Sequence, residues 1–336
     1  FNNDIGLPLT LLRLRATHRI AVVELGMNHP GEIALLAAMA QATVALINNA
    51  QREHLEFMAT VDAVAQENGA VIDALPADGV AVFPHDDAFA PTWRARAGAR
   101  NCLTFGYASS TATPCTADVV ADTPQWQNGA WQVRAQTPAG PLVFALTMAG
   151  LHNVHNALAA ASCAIAAGVP LAQVVAGLQA FEPVKGRSRS QTLHWAGRSV
   201  TLVDDSYNAN PDSVAAALDM LALLPAPRLM VLGDMGEVGD QGPQFHAQAG
   251  AHAHALGIES LLTLGPLAAH AVPPFPGARH CGAMPELIDA VRARMPSVAS
   301  VLVKGSRFMQ MERVVEALIA GAGRPNGSTA GEAACC

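Results

Sequence analysis

Lysine is almost missing from these 336 residues: Lys185 and Lys304 are its two occurrences. Neither completes G-x-x-x-x-G-K-[ST], so the loop that cradles a nucleotide's phosphates through backbone amides and a lysine is not encoded here. The remaining basic residues are scattered and the net charge is -7. That argues against a nucleic acid held through its phosphate backbone, and leaves a small anionic ligand open. Cysteine is sparse too. Cys102, Cys115, Cys163, Cys281, Cys335 and Cys336 have neither metal-ligand spacing nor the density of a disulfide framework, which fits a reducing cytoplasm. No uninterrupted apolar run reaches the ~20 residues of a membrane span. The run from Ile33 to Ile47 is broken by Gln41 and Thr43 and reads as a core helix followed by a core strand. No signal peptide opens the chain, but Phe1-Asn2-Asn3-Asp4 starts in mid-pattern without an initiating Met, so residues upstream are expected.

What is present is an alternation of strand-like and helical runs. Ile20 to Leu25 reads as a strand, Gly31 to Gln41 as a helix, Thr43 to Asn48 as a strand, Val61 to Leu75 as a helix and Gly79 to Phe83 as a strand. This is the signature of a parallel sheet covered by helices. Between Ala117 and Met148 the texture changes to short alternating segments with Gly and Pro turns, predicting a small antiparallel insertion. Ala-rich helices follow at about 152–167 and 171–181. The polar, basic and flexible stretch Pro183 to Arg189 reads as a domain junction. A second α/β unit then has strands at Val200 to Val203, Leu229 to Leu232, Ser260 to Leu264 and Val301 to Val303. The expected division is 1–186, then a Rossmann-like 187–322, then a disordered tail at 323–336.

The densest chemistry lies in Val203-Asp204-Asp205-Ser206-Tyr207-Asn208-Ala209-Asn210-Pro211-Asp212-Ser213, where a strand end, an acidic pair and a helix start meet. Ligands of open α/β sheets sit beyond the carboxyl ends of strands, so Asp204 and Asp205 are expected to face such a crevice. A turn whose Asp and Asn side chains cap backbone donors is the alternative. Glu24 ends the first strand-like run, where a carboxylate can take a hard cation such as Mg²⁺. His54 follows the next strand on the same sheet edge. Asn153 and Asn156 share one face of a helix's first turn and can bond a purine edge or a phosphate. Lys185 and Arg187 could reach phosphate, and Lys304-Gly305-Ser306-Arg307 follows a strand end with charges suited to a carboxylate-bearing substrate.

Taken together, E-L-G-M-N-x-x-G-E-I from Glu24, N-N-x-x-x-E-H-L-E from Asn48, L-H-N-V-H-N from Leu151, D-D-S-Y-N-A-N-P-D-S from Asp204, G-D-M-G-E-V-G from Gly233 and K-G-S-R from Lys304 resemble the Mur ligases in order and spacing. The pairing of E-L-G-M-N with D-D-S-Y-N-A-N-P is most similar to the members that add D-alanyl-D-alanine. The resemblance implies a central ATPase domain, N-terminally shortened here, followed by a Rossmann-like C-terminal ligase domain. It also implies ATP-driven amide formation through an acyl phosphate. UDP-N-acetylmuramoyl-tripeptide would supply the carboxylate and D-alanyl-D-alanine the amine, in a cytoplasmic monomer with no nucleic-acid or membrane partner. By matching positions, Glu24 and His54 would hold Mg²⁺ and, with Arg187, serve catalysis. Asn153, Asn156, Arg187 and Asp205 would bind ATP, with Asp205 on the ribose. Tyr207, Asn208, Asn210, Lys304, Ser306 and Arg307 would meet substrate.

One departure concerns the lysine that many family members carbamylate: Asn68 stands there, and Glu67 is a candidate replacement anion. Asp205, read as an exposed cleft residue, is expected to be removable at little cost in melting temperature. A non-catalytic binding module and a folylpolyglutamate synthase-like ligase are the competing readings, and the absent phosphate loop predicts no ligation by these 336 residues alone.

Overall fold

The computed structural model describes residues 2–52, 55–108, 116–127, 130–148 and 150–323; the side chain of Leu55 is outside this description. The chain divides into two compact units. One comprises 1–183 with 210–216 and 236–242, and the other comprises 184–209, 217–235 and 243–336.

The first unit holds a seven-stranded mixed sheet. Its strands are β1 (Val44–Leu46), β2 (Val80–Pro84), β3 (Asn101–Tyr107), β4 (Val119–Ala121), β5 (Gln125–Gln127), β6 (Ala130–Thr137) and β7 (Gly140–Leu146). β1 to β4 pair in parallel in that order. β4 and β5 then share one edge of β6, and β7 takes the other along most of its length, all antiparallel. The expected insertion is thus four strands of one continuous sheet. Helices Val61–Asp73, Ala90–Ala97 and Leu151–Ala166 cover it. The first is opened by Thr60, whose hydroxyl accepts from the Ala63 amide at 3.1 Å. Trp93 is fully buried among Phe83, Ala65 and Ile72, and its indole N–H donates to the Ala65 carbonyl at 2.9 Å, so the ring is buried without stranding a donor.

The run Ile20 to Leu25 is not a strand. Val22 is 93% exposed, and no described strand pairs with the segment. A β-branched run supplies propensity, but a strand also needs a ladder partner for its amides and carbonyls. β1 accordingly stands at the sheet edge, with Leu46 exposed.

The second unit is a six-stranded sheet in the order β12-β11-β10-β13-β9-β8. Its members are β8 (Arg189–Trp195), β9 (Arg198–Asp205), β10 (Arg228–Gly233), β11 (Ser260–Leu264), β12 (Arg279–Cys281) and β13 (Ser300–Lys304). All neighbours are parallel except β8 and β9, which form a hairpin. β13 is buried along its whole length, as a central parallel strand covered on both faces must be. Its register sets Lys304 opposite Asp205 and Val303 opposite Asp204. The strand ends that carry acid and base therefore lie side by side. No helix among the described residues is long and apolar enough to cross a membrane.

Candidate functional site

In the second unit the acidic pair ends β9 and bonds back to the segment ahead of β8. Asp204, 2% exposed, accepts from the Gly186 amide at 2.9 Å and from the Ser206 hydroxyl at 2.5 Å. Asp205 accepts on Oδ1 from the amide and the hydroxyl of Ser188, at 2.9 and 3.1 Å, and on Oδ2 from Lys304 Nζ at 2.5 Å. Lys304, 3% exposed, also donates to the Asn208 carbonyl at 2.9 Å, and Ser306 Oγ to the Ala209 carbonyl at 3.0 Å. Gly186 at φ 82° and Ser188 at φ 49° take the left-handed turn that lets both amides face the acids. Both residues are buried, so the expected flexible stretch is hydrogen-bonded where Arg187 sits.

This arrangement corrects several expectations. Asp205 is not an exposed cleft residue: its carboxylate is 14% exposed and fully engaged. Lys304 and Ser306, expected to meet substrate, are buried and bonded within the fold. Asn210 caps the helix Pro211–Ala222, its carboxamide oxygen accepting from the Ser213 amide at 2.7 Å, which is the capped-turn alternative realised. What the network leaves outward is Arg187, Tyr207, Asn208 and Arg307. The Arg187 guanidinium lies 4.3 Å from the centre of the Tyr207 ring and that of Arg307 at 5.9 Å, with Arg307 also paired to Glu312. Two cations over one exposed phenol make a surface fit for an anionic group.

Two contributors were not singled out from sequence. Ser188 was hidden in a basic linker. Asp234 of G-D-M-G, 3% exposed, accepts from the Ala268 amide at 2.7 Å and offers its carbonyl to the Ser306 amide at 2.9 Å. It fills the space beside Gly265, where a Cβ would come within 2.3 Å of its carboxylate.

In the first unit three amides form a chain. Asn48 Nδ2 donates to Asn156 Oδ1 at 2.8 Å, and Asn156 Nδ2 to Asn153 Oδ1 at 3.4 Å. Asn48 Oδ1 is buried without a hydrogen-bond partner. Asn48 opened a motif noted in the sequence, but its contact with Asn156 spans 108 positions and no local pattern announces it. His155, beside the ring of Phe105 at 4.9 Å, has its pKa lowered by burial, with Asp86 pulling the other way. Glu24 is exposed and accepts from Asn2 Nδ2 at 2.9 Å. His54 lies outside the described residues, as do Cys115, Cys335 and Cys336. Among the described residues no group of three or more His, Cys, Asp or Glu side chains is disposed to hold a metal. Glu67 is not a spare anion: it accepts from the Gly31 and Ile33 amides at 2.9 and 2.8 Å, capping the helix Glu32–Ala40. Asn68 donates to the Asn49 carbonyl at 3.4 Å.

Residues 1–164 match the Mur ligase middle domain, and residues 188–307 match the Mur ligase, glutamate ligase domain. The UDP-N-acetylmuramoyl-tripeptide--D-alanyl-D-alanine ligase of Escherichia coli (strain K12) is 36% identical over 320 residues, covering 94% of this chain and 69% of that protein. The chain belongs to the Mur ligase family. Among solved structures, MurF from Acinetobacter baumannii superposes on this Mur ligase with a TM-score of 0.86 at 32% identity, over 95% of this chain and 69% of that one. MurF ligase from Thermotoga maritima, solved in complex with ADP, shares the fold at a TM-score of 0.81 and 24% identity, over 94% of this chain and 70% of that one.

Proposed function

We propose that this Mur ligase serves peptidoglycan precursor synthesis by joining D-alanyl-D-alanine to UDP-N-acetylmuramoyl-tripeptide, with ATP activating the tripeptide carboxylate as an acyl phosphate. The carrying observation is the 36% identity to the Escherichia coli ligase along 94% of the chain. In this reading Asn153 and Asn156 bind ATP. The buried, unpartnered Asn48 Oδ1 beside them suits an N–H donor such as a purine's exocyclic amine, since an orphaned buried acceptor is costly unless a ligand satisfies it. Arg187, Tyr207, Asn208 and Arg307 meet anionic substrate groups. Asp205 acts in the framework beneath them and not on the ribose.

Glu24 would be one ligand of Mg²⁺, joined by His54. One exposed carboxylate fits a cation that keeps waters and substrate phosphates in its shell and that supplies charge neutralisation on the transferring phosphoryl group. G-x-x-x-x-G-K-[ST] is not among these residues, so the test is run on a ligase joining them to such a loop. Phosphate release should depend on D-alanyl-D-alanine, fail with L-alanyl-L-alanine, and stay at background for the 336 residues alone. Glu24→Ala should lower kcat about 100-fold. Release indifferent to the dipeptide would overturn the reading.

A further inference from the structure

We propose that the turn Lys304-Gly305-Ser306 is a positioning device: it acts on the reaction through Tyr207 and Arg187, without touching substrate. The inference rests on the reading of those two side chains as substrate groups.

The loop after β9 turns Tyr207 outward, 45% exposed, with several neighbouring backbone groups tied down. The Tyr207 amide donates to the Gly186 carbonyl at 3.0 Å. The two carbonyls that follow it, of Asn208 and Ala209, are held by Lys304 Nζ and Ser306 Oγ. Gly305 lets the turn sit this deep, since a Cβ there would meet Met311 Cγ at 2.6 Å and Gly233 Cα at 3.1 Å. Arg187 is fixed from both sides as well. The residues before and after it give their amides to Asp204 and Asp205, and Lys304 is the counter-ion of Asp205. One ammonium thus reaches both halves of the Arg187–Tyr207 contact.

A buried ion pair is a poor route to stability, because desolvation offsets most of its attraction. An apolar pair would pack β9 on β13 at lower cost. What charge adds here is direction: an ammonium has several donors on one atom and can fix a carboxylate and a carbonyl at once. The side chains it orients have exposed cationic and phenolic ends, while the orienting group has no exposed end.

The test has two readouts. In the 336-residue chain labelled with ¹⁵N-arginine, the Arg187 Nε–H signal is assigned from its loss in Arg187→Lys. It should be shifted upfield by the Tyr207 ring, an effect absent in Tyr207→Leu. In Lys304→Met that shift should fall by roughly half or more, with the amide signals of β10 and β11 in place; in Ser306→Ala it should fall less. Should Lys304→Met not fold, Ser306→Ala carries the comparison by itself. In the ligase joined to a phosphate loop, Lys304→Met should lose about 100-fold in kcat with a smaller change in KM, because a displaced catalytic surface penalises the transition state most. An unchanged Arg187 shift in every folded variant overturns the proposal, and so does a lost shift with wild-type kcat. A wild-type ligase that turns over no D-alanyl-D-alanine overturns the functional reading instead and leaves the spectral comparison standing.

Discussion

Each unit carries polar side chains at or just past the carboxyl ends of its parallel strands, Asp205 and Lys304 in one and Asn48 with its helix partner Asn156 in the other, and the two units treat them in opposite ways. In the second unit Asp205 and Lys304 are charged, buried and bonded to each other. In the first, Asn48 and Asn156 are neutral, one of them exposed, and the Asn48 end of their chain has no partner. Charges withdrawn from water must be matched within the fold, so the second cluster is framework and leaves Arg187 and Tyr207 outward. Amides tolerate an unfilled valence at lower cost, so the first cluster can keep an open acceptor. A strand-end polar residue is thus better judged by its charge and burial than by its position.

The sharpest way to break this contrast is Asp205→Ala. It strands the Lys304 ammonium and should destabilise the second unit by about 3–5 kcal/mol, read as a lower melting temperature. An unchanged melting temperature would return Asp205 to the surface role its sequence position suggested. A second test is a pH effect confined to the first unit. Burial lowers the pKa of His155, so the native state holds it neutral while the unfolded chain protonates it near about pH 6.5. Its stability is complete above that pH and is lost as pH falls below it toward the depressed native value. Melting curves between about pH 7 and pH 5 should show this loss, and His155→Gln should flatten it.

Smaller again is Asn156→Ala, which removes neutral hydrogen bonds from a side chain near the surface. A cost of about 1 kcal/mol in denaturant unfolding is expected, together with weaker ATP binding by the ligase. A loss as large as that of Asp205→Ala would erase the difference between the clusters. Smallest is Lys185→Ala, whose pair with Glu316 is exposed on both sides at 57%. Its melting temperature should be indistinguishable from wild type, separating this lysine from the other by location alone.

Much of the fold was legible because most parallel strands are short apolar runs and several covering helices are longer Ala-containing ones. Val61–Asp73, Leu151–Ala166 and β11 lie within two residues of where the pattern set them. Apart from the cap of Asn210, which reaches three residues along its own helix, the misreadings are non-local. Ile20 to Leu25 has strand composition but no partner, a property of the sheet and not of the run. Asp205 and Lys304 were each recognised at a strand end, yet their pairing depends on β13 lying next to β9, across 99 positions. Asn210 and Glu67 were credited with ligand chemistry when a backbone amide nearby was already using them. Asn210 serves its own helix, and Glu67 serves one that starts 35 residues earlier. Side-chain type announces what a residue can do, and only the packed chain decides whether its capacity is spent.

The strand order has a further consequence for biosynthesis. Among the described residues β13 is the last strand in chain order, and it lies between β9 and β10. A nascent chain that has passed β12 but not reached residue 300 holds one hairpin and one three-stranded layer, each with an unmatched inner edge. At about 5–20 residues per second this window, from residue 281 to residue 300, lasts about 1–4 seconds, during which those edges are open to pairing with other chains. Residues 300–304 close the sheet and deliver the counter-ion of Asp205 in the same event, so a ribosome pausing just short of them leaves both tasks undone.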